Sequence, residues 1–192
     1  MFIVKKKRNY LRQIYKENKD TGAFIIEVSL DDYNEVFNGW DPSPIKRRDL
    51  DPDLLTFIDQ CAFDIPSKYS LELLFYMPRQ QYNTKKEKLT RIGIKNNFKF
   101  TLHFIRKELA NYRKKILLYI ILSFTFLISS YLTQKNVTLD LITSTLLEGM
   151  FIGGWVFLWE AFSLFFFSSQ ETYVKLRRYT RLLDAPIVFN YE

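Results

Sequence analysis

The chain has 192 residues, enough for one domain of ordinary size, and it carries a formal charge of +7 with a pI near 9.3. That charge favours an anionic partner such as a nucleotide, nucleic acid or phospholipid headgroups. One cysteine, Cys61, excludes an intrachain disulfide framework, and the single histidine, His103, lies far from it in sequence, which excludes a Cys/His metal cluster.

Residues 1–22 form a basic arm, with KKKR followed by Lys16 and Lys19 and a turn at Asp20-Thr21-Gly22. Two readings stand: a flexible start, or an arm held on anionic lipid. Its apolar residues precede its charges and no apolar run follows, so no cleavable signal peptide is expected. The stretch from Phe24 to Leu30, FIIEVSL, reads as a strand.

Next comes EVFNGWDPSPIKRRDLDPDL, Glu35 to Leu54. Pro42, Pro44 and Pro52 lack an N–H and restrict the residues before them, so no regular helix covers it, and it is too polar for a core strand. Asp51 caps a helix with Pro52 at its first position and Asp53 in its first turn. Leu54, Leu55, Ile58, Cys61, Ala62 and Ile65 give that helix an apolar face, and Pro66 ends it. Tyr69 to Met77 is a second strand, stopped by Pro78. Thr84 with Glu87 three residues on predicts a capping box and a helix to about Asn96. An amphipathic stalk follows, with Leu102, Ile105, Leu109, Tyr112 and Ile116 at heptad-like spacing, and runs on into the first span.

Residues 116–132, ILLYIILSFTFLISSYL, hold no charge. As a helix they span about 26 Å at roughly 1.5 Å per residue, close to the hydrocarbon thickness of a bilayer. The run is apolar on every face, unlike a soluble core helix. A second run, MFIGGWVFLWEAFSLFFF from Met150 to Phe167, is interrupted only by Glu160. Basic flanks precede the first run (Arg106 to Lys115) and follow the second (Val174 to Arg181), with few charges between them. The positive-inside rule then places both termini in the cytoplasm. Gly149, Gly153 and Gly154 make a small-residue patch for close helix approach, and Trp155 and Trp159 share one face; with Glu160 they are the candidate residues for membrane assembly between copies. Glu160 is read either as a carboxyl satisfied by Ser123, Ser129 or Ser130, or as a group lining a water-filled path or an oligomer interface.

The end of the chain, IVFNYE, alternates Ile187, Phe189 and Tyr191 on one face, a strand signal. A lone strand cannot bury its apolar face, so it is expected to join the earlier strands. The expected fold class is α+β: a small mixed α/β cytosolic domain completed by the C-terminal strand, with an inserted two-helix transmembrane hairpin. The segments are a basic arm (1–22), the first part of the cytosolic domain (23–101), a stalk helix (102–115), a first span (116–132), an outside loop (133–145), a second span (146–168), and a basic helix with terminal strand (169–192).

No phosphate-loop or dinucleotide-loop glycine motif occurs, and no catalytic constellation, so no enzyme activity and no cofactor are expected. The proline-rich loop carries the candidate site. Arg47 and Arg48 suit phosphate. Tyr33, Phe37 and Trp40 offer faces for a base, and Asn38 and Asp41 suit base edges or ribose hydroxyls. The alternative is that the arginines pair with Asp41 or Asp49 and Trp40 packs on the sheet.

The ordered set FNGWD, then P-x-x-x-R-D-L, a capped helix, IP and a strand ending MP, together with GMFIGGWVFLWE before a basic helix and terminal strand, resembles a known group. It is similar to the two-transmembrane effectors with a β-strand-rich cytosolic domain of bacterial cyclic-nucleotide antiviral systems, the Panoptes type among them. The resemblance covers about Phe24 to Glu192. It implies a cytosolic domain that binds a cyclic oligonucleotide made by a CRISPR-like polymerase, with no DNA or RNA as partner. It further implies a ligand that restrains the protein, and homo-oligomers that damage the inner membrane when the ligand is lost. The competing reading is a non-enzymatic membrane scaffold that docks a cytosolic protein.

Overall fold

A computed structural model describes residues 10–136 and 140–192. Residues 1–9 of the basic arm and residues 137–139 of the expected outside loop lie outside the described residues. The fold is α+β, and the chain divides into two compact units: one comprises the residues up to His103 together with Leu176–Glu192, the other Phe104–Lys175.

The first unit is built on three parallel strands, β1 (Phe24–Ser29), β2 (Leu71–Met77) and β3 (Ile187–Tyr191), in the order β1-β2-β3. The C-terminal strand therefore joins the sheet, as its alternation requires. Phe24 faces Leu71 and Leu73 faces Ile187 in register. On one face Phe24, Ile26, Leu73 and Phe75 are fully buried. The other face carries a partly exposed polar network in which the Tyr76 hydroxyl donates to Glu27 at 2.6 Å, beside Lys16. The resemblance implied a β-strand-rich domain. Three short strands with helices between them are what the described residues form, so that expectation is corrected.

Helix α1 (Pro52–Asp64) starts as expected: the Asp51 carboxylate accepts from the N–H groups of Asp53 and Leu54. Ile58, Cys61 and Ala62 are its buried stripe, and Ile65 is buried just beyond it. Helix α2 (Thr84–Asn136) is one uninterrupted element of 53 residues, where a helix to about Asn96 was read apart from the stalk and span. Its cap is also shifted by one. The Asn83 side chain, not Thr84, accepts from the N–H groups of Lys85 and Lys86, and Glu87 is engaged elsewhere, by Tyr191 and Arg91. Asn83→Ala should therefore cost about 1 kcal/mol in a denaturant titration, within the usual range for a cap, whereas Thr84→Ala should cost much less.

Ile94, Phe98 and Leu102 of α2 and Tyr179 and Leu182 of α4 (Ser169–Asp184) complete the helical layer of this unit. The Phe98 and Tyr179 rings meet edge to face at 6.3 Å. Arg178 pairs with Asp59 at 3.0 Å, and Arg181 donates to the carbonyls of Ala62 and Ile65, which favours the negative end of α1.

In the second unit, α2 packs antiparallel to α3 (Leu141–Ser163). Tyr119 stacks near Phe157 at 6.1 Å, and Ser130 donates to the Leu147 carbonyl at 2.9 Å. A π-helical segment, Leu164–Ser168, joins α3 to α4. Both long helices are apolar and long enough to cross a membrane. Their large side chains, among them Leu117, Ile121, Phe124, Ile128, Ile152 and Val156, are exposed, so these are not the covered helices of a soluble core.

Candidate functional site: a cationic groove

The proline-rich loop is closed at its base by a short antiparallel bridge between Phe37 and Leu50, with Asn38 N–H donating to the Asp49 carbonyl at 2.9 Å. Inside it, the Asn38 side-chain oxygen accepts from the Trp40 N–H at 2.9 Å. The Asp41 carboxylate accepts from Ser43 at 2.9 Å and from Asp49 at 2.8 Å. Those backbone donors, first that of Asp49, hold the Asp41 carboxyl below its ordinary value, with Arg48 nearby adding to the effect. The tie is thus complete above the usual carboxylate range and is lost as pH falls through the lowered value. The peptide N–H groups of Arg47 and Arg48 both donate to the Pro44 carbonyl, which fixes the backbone that carries the two cations.

This loop faces α2 across a groove of about 580 Å³, lined by Lys46, Arg47, Arg48, Asp49, Gly93, Asn96, Asn97, Lys99 and Phe100. Four cations stand there against one carboxylate. The volume lies within the range of small-molecule sites. The Asn96 amide donates to the Lys46 carbonyl at 2.9 Å and pins the loop to the helix. Gly93 makes the approach possible: a Cβ there would lie 2.6 Å from the Ile45 carbonyl oxygen and 2.8 Å from the Phe37 ring. One residue before Asn96, Lys95 donates to the carbonyls of Leu183 and Ala185 and secures the entry to β3; burial pushes its ammonium below the ordinary value. Gly93→Ala should push the loop off α2 and open the groove, seen as faster amide exchange over residues 38–49 with the sheet still protected.

Of the residues read as ligand-binding, Arg47 and Arg48 line this groove. Arg47 is exposed, and its side chain makes no hydrogen bond or ion pair among the described residues; Arg48 donates through Nε to the Ser43 carbonyl at 2.9 Å. Tyr33 and Phe37 are corrected as stacking faces. Tyr33 is 2% exposed, and its hydroxyl lies 2.7 Å from that of Tyr191; Phe37 is 3% exposed, beneath Gly93. Asn38 and Asp41 have their side-chain oxygens committed within the loop and are not among the groove's lining residues, so they brace the loop. Trp40 does not pack on the sheet: it is 95% exposed at the loop tip and is not among the groove's lining residues.

The helix side of the groove was not read from the sequence. Phe100 is 59% exposed and supplies the ring that the loop does not, Asn97 a side-chain amide, and Lys99 a fourth cation. The available signal was Gly93, a glycine inside a helical pattern, where it costs about 1 kcal/mol relative to alanine and so points to a packing reason.

The membrane-assembly residues fall into separate roles. Gly154 packs inside the chain, where a Cβ would meet Leu127 at 2.7 Å; Gly153 lies over Phe126; only Gly149 faces open space. Trp155 and Trp159 are exposed. Glu160 is exposed too, with no hydrogen-bond or ion-pair partner among the described residues, so the serine reading is corrected. Ser130 bonds Leu147 and Ser123 is buried near Gly154. Ala161, the neighbour of Glu160, lines one cavity with Ile116 and Ile120, which places Glu160 near the Lys115 end of the apolar run of α2.

Comparison with protein-family models, with curated proteins and with solved structures finds no match to this chain.

Proposed function

We propose that this chain is a ligand-controlled membrane effector whose cationic groove takes a cyclic oligonucleotide and whose apolar helix pair lies in a bilayer. The observation that carries the reading is the groove, in which Arg47, Arg48, Lys46 and Lys99 surround a space beside an exposed phenylalanine. Two phosphates held near one another and flanked by bases are the chemistry such a lining suits: charge-assisted donors for the phosphates, a ring for one base and the Asn97 amide for a base edge. No catalytic group is assigned.

Further support comes from the exposed apolar surface of α2 and α3, which needs lipid or protein to cover it. The membrane is the bacterial inner membrane and both termini are cytoplasmic, by the basic flanks at Arg106–Lys115 and Lys175–Arg181. Two helices per chain cannot enclose a pore, so membrane damage requires several copies. Following the resemblance, the ligand restrains assembly, and its loss during phage infection releases it. The ligand's leverage is its difference in affinity between the quiet and assembled states.

Reporter fusions to both ends test the topology. A cytoplasmic signal from both is expected, and a periplasmic C-terminus would overturn it. Expression without the nucleotide-producing polymerase should arrest growth and depolarise the inner membrane, and co-expression of the polymerase should relieve both effects.

A second reading, a scaffold that docks a cytosolic protein, is favoured by Trp40. A tryptophan held on a tied loop and fully presented to solvent is the kind of side chain that anchors protein interfaces. Trp40→Ala separates the two: it should leave nucleotide affinity intact if the groove is the site, and should abolish partner capture if the loop tip is.

A further inference from the structure

We infer that the second unit carries a specific site for an anionic phospholipid, formed where the polar and apolar stretches of α2 meet; this rests on the reading that the helix pair lies in a bilayer. Two cavities follow one another along α2. The first, about 350 Å³, is lined by Glu108, Asn111, Tyr112, Lys114 and Lys115. The second, about 170 Å³, begins one turn further on at Ile116 and Ile120 and is walled from the facing helix by Leu158, Ala161, Phe162 and Phe165. Tyr112, Ile116 and Ile120 follow one another at four-residue spacing, so one stripe of α2 leads from the polar hollow into the apolar notch.

The notch has a structural cause. The π-helical segment Leu164–Ser168 widens the helix there, and the Ser169 hydroxyl donates back to the Phe165 carbonyl at 2.7 Å. Segments of this kind recur at functional sites. The hollow has free charge. Arg113 is engaged by the Tyr173 hydroxyl at 3.1 Å, and Glu108 accepts weakly from Thr172 at 3.4 Å, but the ammonium groups of Lys114 and Lys115 have no partner among the described residues. A phosphate placed there neutralises two cations, and the Asn111 amide and Tyr112 hydroxyl can donate to it. An acyl chain from the same molecule continues into the notch. Glu108 disfavours an anion at the far edge, which directs the phosphate to the Lys114–Lys115 side. A zwitterionic lipid meets the same notch but brings its own cation to two lysines. The site therefore selects an anionic headgroup over a neutral one.

The test uses the full chain in nanodiscs of phosphatidylcholine and phosphatidylglycerol, stripped stepwise with detergent, with retained lipid read by native mass spectrometry. Wild-type protein should keep phosphatidylglycerol at least tenfold over phosphatidylcholine after correction for supply. Lys114→Gln with Lys115→Gln, a surface change that leaves the helix packing untouched, should remove that preference. Ala161→Phe should fill the notch and lower retention of both lipids. Equal retention of the two lipids by wild type, a preference that survives the double lysine substitution, or a notch variant that retains lipid as wild type does would each overturn the site. Release of wild-type protein from membranes by alkaline carbonate would overturn the membrane reading itself, a separate failure.

Discussion

Replacing Arg47 and Lys99 together by alanine should weaken binding of a cyclic dinucleotide at least a hundredfold. The two cations stand on opposite walls of the groove, one on the loop and one on α2. Each charge-assisted hydrogen bond contributes about 1.5–3 kcal/mol. At about 1.4 kcal/mol per decade, loss of two such contacts removes two or more decades of affinity. Both side chains are exposed, so the variant should fold normally and its circular dichroism should match wild type. Phe100→Ala should remove a stacking contribution of about 1–3 kcal/mol. Trp40→Ala should have little effect on affinity, although on the sequence alone that side chain was one of three candidate rings.

Deleting Ile187–Glu192 should prevent the first unit from folding. β3 is short, but it closes one edge of β2 from Leu73 to Met77 and carries much of the polar anchoring. Phe189 stacks on Phe75 at 5.2 Å. The Tyr191 hydroxyl donates to Glu87 at 2.6 Å and meets Tyr33 at 2.7 Å. Burial, with those two partners, pushes the Tyr191 hydroxyl well above its ordinary value. The Arg79 N–H donates to the Glu192 carbonyl at 3.0 Å. A milder variant gives a graded measure: Phe189→Ala should cost about 3–5 kcal/mol, as for other buried aromatic truncations. Against a total stability of about 5–15 kcal/mol, the full deletion leaves little. Limited proteolysis reads both, and a truncated chain as resistant as wild type would show that β3 is dispensable.

Much of the first unit was legible in the sequence because its signals are local. The Asp51-Pro52 cap, Pro66 and Pro78 as stops, and the alternation of Ile187, Phe189 and Tyr191 each act within a few residues. That the last strand must pair with distant ones followed from the inability of a lone strand to bury a face. The parallel arrangement followed from no local signal. Capping residues shift by one because Asn83 and Thr84 are both competent caps, and the choice falls to whichever side chain the preceding turn presents.

The candidate site was half legible. Arg47 and Arg48 were visible as a pair of cations in a loop too rich in proline to be helical. Their partners on α2 lie some fifty residues away, inside a pattern that reads only as a continuous amphipathic helix. Ring identity does not distinguish a buried face from an exposed one, which is why Tyr33 and Phe37 were read as available and Phe100 was not. For the same reason Gly153 and Gly154 read as a surface for another copy, when Gly154 is occupied by Leu127 of the same chain.

The measurement that tests the groove most directly is isothermal titration of the full chain in nanodiscs with cyclic di- and trinucleotides, at low and at high salt. Saturable binding of at least one of them is expected, weakened by salt as the charges are screened, and lost in the Arg47→Ala, Lys99→Ala protein. Absence of binding by every cyclic nucleotide, or equal affinity in wild type and the double variant, would contradict it.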